Sequence, residues 1–180
     1  MKNLLISVAL LASAATASHA VSFDDWSTAG SGTTWIESSS ASNTDVDFRY
    51  DSTGFSGNWT LSTMVLTGGL YEFDWDYTPR HSWYRTSATL ELTSPTNEVL
   101  YSGAAWHGST QTGSESLNLN AGDTLTFYMT GSNFDAARIL DGRLVLTDLA
   151  PAAVPLPGSA MALLGGLAGI AGLARRRRKA

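Results

Sequence analysis

The chain contains no cysteine. Disulfide staples, thiol catalysis and cysteine-ligated zinc are therefore excluded. Histidine is scarce too: beyond the N-terminal segment only His81 and His107 occur, and no HExxH, GxSxG or P-loop pattern is present. Basic residues are few where the chain is long enough to fold. Between residues 21 and 150, Arg49, Arg80, Arg85, Arg138 and Arg143 stand against all sixteen acidic residues, a formal charge of −11. A domain of that sign does not hold nucleic acid by neutralising phosphates. No window carries a convincing 3.6-residue apolar period, which argues against helices in this region.

What is present begins with the two ends. Lys2 supplies a positive start, residues 4–12 are apolar and uncharged, and Ser18-His19-Ala20 is a small-x-small site. This is the pattern of a secretory signal peptide over residues 1–20, with cleavage after Ala20 by signal peptidase following use of the secretion machinery. At the other end, residues 151–158 form a proline-rich linker containing Val154, Pro155, Leu156, Pro157 and Gly158. Residues 159–174 carry no charge, and the chain closes on Arg175, Arg176, Arg177, Arg178, Lys179 and Ala180. As a helix, those sixteen apolar positions cover roughly 24 Å, a little short of a ~30 Å hydrocarbon core. Snorkelling of Arg175 or local thinning of the bilayer makes up the difference. The basic stop stays cytoplasmic by the positive-inside rule, leaving the acidic domain on the far side of the inner membrane. Gly165 and Gly169 form a GxxxG pair, but small residues recur all through this segment, so the pair carries little weight.

The order of motif, apolar helix and terminal basic cluster resembles the PEP-CTERM family of bacterial sorting signals. It is closest to the variant with a Val-Pro-Leu-Pro-Ala core, with Gly158 here in the place of the alanine. The resemblance implies a membrane-embedded, exosortase-type transpeptidase as partner. That enzyme would remove the helix and leave the domain in the cell envelope or outside the cell. The resemblance covers about 27 residues and says nothing of residues 21–150.

Those residues read as an all-β domain, a single antiparallel sandwich of jelly-roll type. The clearest strand is 70–78, where Tyr71, Phe73, Trp75 and Tyr77 alternate with Glu72, Asp74 and Asp76, and where Pro79 is expected to end the run. Residues 60–67 are the strand before it. Residues 82–93 place Tyr84, Ala88, Leu90 and Leu92 on one face, and 124–130 place Leu125, Phe127 and Met129 inward. Further strands are expected at 33–37, 46–50, 98–102, 116–120 and 142–149, giving eight or nine. The phrase Ala121-Gly122-Asp123-Thr124-Leu125 is similar to text in sandwich domains of other exported, tagged proteins, and the pattern also looks like carbohydrate-binding sandwiches.

Three chemistries suit the residues. Sugar rings stack on flat aromatic faces beside polar groups, and Trp83 with Arg85, together with Trp106 and His107, are the candidates. Trp26, Trp35, Trp59 and Trp75 are assigned to the core. Calcium needs several oxygens converging from loops, and Asp24, Asp25, Asp141 and Asp148 lie near chain ends that often meet in a sandwich. No other cofactor is expected. A glycosidase needs two flanking carboxylates, and Asp74 with Asp76 share a face, although acid pairs on strands are usually a solvated surface. The sequon Asn58-Trp59-Thr60 is read as chance. The expectation is a surface or matrix protein with a structural or exopolysaccharide-associated role and no catalysis. A carbohydrate-binding module with a defined glycan is the alternative, and a hydrolase the third reading.

Overall fold

The computed structural model describes residues 22–81, 87–104, 108–133 and 139–151. The signal segment, the linker and motif at 151–158 beyond Pro151, the apolar span 159–174 and the basic stop lie outside the described residues. So do Tyr84, Trp83, Arg85, Trp106 and His107.

Ten strands make two five-stranded sheets: β1 Ser27–Gly30, β2 Thr33–Ser39, β3 Val46–Thr53, β4 Ser56–Met64, β5 Gly69–His81, β6 Ser87–Ser94, β7 Glu98–Gly103, β8 Gln111–Leu119, β9 Thr124–Ser132 and β10 Ile139–Pro151. One sheet runs β1-β4-β9-β6-β7 and the other β2-β3-β10-β5-β8, with every pairing antiparallel. The eight strands β3 to β10 follow jelly-roll order, and β1 and β2 extend one edge of each sheet. The expected sandwich is the observed one.

Alternation explains why these strands face as they do. In β5, Tyr71, Phe73, Trp75 and Tyr77 are buried while Glu72, Asp74 and Asp76 are exposed. Leu90 and Leu92 of β6, and Leu125, Phe127 and Met129 of β9, close the core from the opposite sheet. Two pairs of rings join the layers: Phe73 of β5 meets Phe127 of β9 edge-on at 5.8 Å, and Tyr50 of β3 lies on Trp59 of β4. Two glycines make room for rings. A Cβ on Gly142 would collide with the Tyr50 phenol, and one on Gly113 with the Trp75 indole, so both strands lie closely under an aromatic side chain of a neighbour.

Pro79 does not end its strand. β5 continues to His81, and Pro79 registers with Gly142 of β10. The other neighbour, β8, begins at Gln111 opposite Tyr77, so among the described residues no strand lies along that edge of β5 past this point, and a residue without an N–H is tolerated. The expected strands at 116–120, 142–149 and 60–67 also have other bounds: β8, β10 and β4 each begin earlier, and β4 stops at Met64. The short β1 was not expected at all.

The two ends of the domain converge. Pro151, at the end of β10, registers with Tyr71. The Phe23 ring sits 5.1 Å from the Tyr71 ring, and Phe23 bridges to Val65.

Candidate functional site

The outer face of the β2-β3-β10-β5-β8 sheet carries a groove of about 400 Å³ at the end remote from Pro151. Register sets its residues in two rows. One row crosses four strands as Trp35, Arg49, Arg143 and Thr78. The next row runs Thr33, Asp51, Asp141 and Arg80. Arg49 therefore faces Arg143 directly, and Asp51 faces Asp141. Like charges directly opposite destabilise a sheet, so each pair needs neutralising from the side.

The neighbours supply it. Asp47, two positions from Arg49 on β3 and buried, accepts a fork from Arg143, Nε to Oδ1 at 2.8 Å and a terminal nitrogen to Oδ2 at 2.6 Å. Asp141 accepts a second fork from Arg80, at 3.1 Å from Nε to each oxygen and 2.7 Å from a terminal nitrogen. Forks of this kind fix geometry as well as charge. Both guanidinium groups are pushed above the ordinary arginine range, first by these hydrogen bonds. Arg49 is held more loosely: its Nε lies 3.6 Å from Glu37 and 3.7 Å from Asp47, and makes no hydrogen bond. Trp35 forms the rim. Its indole N–H donates to Glu37 at 3.0 Å, and 37% of its surface is open to solvent.

Trp35 is thus a correction. The sequence pattern assigns it to the core with Trp26, Trp59 and Trp75. Trp59 and Trp75 are buried and Trp26 packs against the core, but Trp35 faces out. On β2 it is Ile36 that turns inward. The signal for the groove was available in part: Asp47, Arg49 and Asp51 alternate with Val46, Phe48 and Tyr50 along β3.

The four aspartates expected to hold calcium are not brought together. Asp141 lies in the groove, whereas Asp148 is seven positions along β10, roughly 20 Å away at strand rise. Asp148 sits in a β-bulge between Thr147 and Ala150 with φ of 58°, and its N–H donates to Asp45. Asp24 is tied through its carbonyl to Thr63 and Asn43, and its carboxylate accepts the N–H of Asp25. Among the described residues no three acidic or histidine side chains gather at metal-binding distance. Asp74 and Asp76 lie exposed on β5, and Asp74 accepts a hydrogen bond from Ser114 at 2.5 Å.

Comparison of the sequence with protein-family models and with curated proteins gives no match. Among solved structures, the chain is similar to the carbohydrate binding module from Cellvibrio mixtus lichenase 5A in complex with cellotriose. That match has 14% identity over 66% of this chain and 88% of that one, with a TM-score of 0.33. It is also similar to TmCBM61 in complex with beta-1,4-galactotriose, at 13% identity, 71% and 91% coverage and a TM-score of 0.36. A third is the exo-beta-1,3-galactanase from Phanerochaete chrysosporium with galactose, at 15% identity and a TM-score of 0.30. The match covers 68% of this chain but only 29% of the galactanase.

Proposed function

We propose that this is an exported, non-catalytic protein that associates with polysaccharide at the cell envelope or in the extracellular matrix, through the groove on the β2-β3-β10-β5-β8 sheet. The observation that carries the reading is the exposed Trp35 indole set at the head of a row of guanidinium groups. A flat apolar ring beside fixed donors and acceptors is the combination that pyranose rings and their hydroxyls require. The role is binding rather than hydrolysis: of the two facing carboxylates in the groove, Asp141 has both oxygens engaged by Arg80. Trp83, Arg85, Trp106 and His107 remain part of the same proposal as further sugar contacts.

Delivery rests on the sequence. The signal segment directs export, and the Val154–Gly158 motif, apolar span and basic stop form the sorting tag read by an exosortase-type transpeptidase. The domain passes transiently through an inner-membrane-anchored form.

Two measurements test this. Full-length protein and its Trp35→Ala variant are run in native gels cast with polysaccharides. Retardation of the parent, lost in the variant, is expected, and equal mobility of both in every gel overturns the binding site. Intact mass of protein from the native host tests delivery. A species starting near Val21 and ending near Pro157 is expected, while a membrane species retaining Arg175–Lys179 removes the sorting tag from the reading.

A further inference from the structure

We infer that the groove selects a neutral, hydroxyl-rich glycan and disfavours anionic ones such as polyuronates; this rests on the polysaccharide reading of the same site. The charge inventory points there. The three arginines of the groove face not empty space but built-in acids. Asp141 occupies the Arg80 fork, Asp47 occupies that of Arg143, and Glu37 with Asp47 flank Arg49. Asp51 adds a fourth carboxylate, exposed and close enough to act on Arg80 electrostatically. Three cations against four anions leave the site with no surplus positive charge. An incoming carboxylate would have to displace an acid already in place, and leave that acid uncompensated.

Paired guanidinium and carboxylate groups suit another chemistry. Each pair sets donors and acceptors side by side on rigid strands. A sugar hydroxyl is both donor and acceptor, so adjacent hydroxyls can bridge such a pair without breaking it. Arg49 is the member held least firmly, with its Nε no closer than 3.6 Å to Glu37 or Asp47 and 39% of its side chain open to solvent, and it is the next residue in the row from Trp35. A ring stacked on Trp35 therefore brings its hydroxyls to Arg49 first. The row extends over four strands, roughly 14 Å at ordinary strand spacing, which accommodates a short oligosaccharide rather than a single ring. The acidic balance of the domain works in the same direction, because a field of one sign keeps polyanions away.

The test is a glycan array carrying neutral and uronate-bearing oligosaccharides, probed with the full-length chain and with its Trp35→Ala, Arg49→Met and Asp51→Asn variants. The expected result is binding to neutral members only, with affinity changing less than about twofold between low and physiological salt. Arg49→Met should weaken that binding about tenfold or more. Asp51→Asn, which raises the charge of the site by one, should confer no binding to uronates. Preferential binding of uronates, tightened by Asp51→Asn and weakened by salt, overturns the inference while the polysaccharide reading stands. Binding to nothing on the array removes both.

Discussion

The ring of Tyr50 lies on the ring of Trp59 with centroids 3.8 Å apart and planes 15° from parallel. The contact ties β3 to β4 across the interior, and the Tyr50 hydroxyl goes on to meet that of Tyr77 at 3.0 Å. Burial pushes both phenols well above the usual tyrosine range, so the pair stays neutral at any physiological pH. Tyr50→Phe keeps the stack but leaves the Tyr77 hydroxyl short of a partner in the core. A loss of about 1–3 kcal/mol is expected. The double variant with Tyr77→Phe should recover part of it. Urea unfolding of the four species checks the cycle; strict additivity would show that the two hydroxyls do not support each other.

Gly142 lies directly beneath that same phenol. Gly142→Ala places a methyl group where a buried ring already sits, and a loss of about 1–3 kcal/mol follows from overpacking. Thermal unfolding of the variant measures it, and an unchanged midpoint would mean the ring moves aside at no cost.

Asp47 neutralises two arginines of the groove. Asp47→Asn weakens the fork from Arg143, and because that guanidinium is half exposed and can rehydrate, about 1–2 kcal/mol is expected rather than the cost of a stranded buried charge. A double-mutant cycle with Arg143→Met isolates the pair. A coupling near zero would remove the fork from the account of the sheet.

Glu115 gives a pH dependence of defined sign. Burial pushes its carboxyl up from the ordinary 4.5, only partly opposed by the Trp75 indole N–H at 3.4 Å. Its folded pKa is above its unfolded one. The contribution to stability is therefore full below pH 4.5 and falls away as pH rises through the raised value. Glu115→Gln should unfold at a higher temperature than the parent at neutral pH, with the gap closing in acid. Parallel curves would refute it.

Trp35→Ala should change stability by no more than about 0.5 kcal/mol, since the indole sits on an outer face. The same substitution at Trp59 should cost about 3–5 kcal/mol. Chemical denaturation of the two variants separates a ring that serves the surface from one that holds the layers together.

The sequence made the alternating strands legible and left the groove obscure, for identifiable reasons. β5 and β9 each bury one clean face, so period-two reading found them and their inward residues. Trp35 escaped because Ile36 follows it: with two large apolar residues in succession, alternation does not say which turns inward. β1, with sequence Ser-Thr-Ala-Gly, has no apolar pattern, and its place is set by pairing with β4. The groove needs Asp47 beside Arg143, 96 positions later. Such proximity is a product of sheet order, which local pattern does not encode. Asp141 illustrates the same point from the other side. The chain ends do meet, as expected, but a residue near the start of a 13-residue strand is carried to the far end of the sheet.

That long final strand has a practical corollary. Residues 22 and 151 leave the sandwich together beside Tyr71, while Asp141 lies ten positions back along β10, roughly 30 Å away. A bead, a chip surface or a fluorescent protein joined directly at residue 22 or residue 151 would sit at the opposite pole from the groove. Immobilised in either orientation, the domain would present its opening to the liquid, and a bound glycan would be held clear of whatever carries the protein.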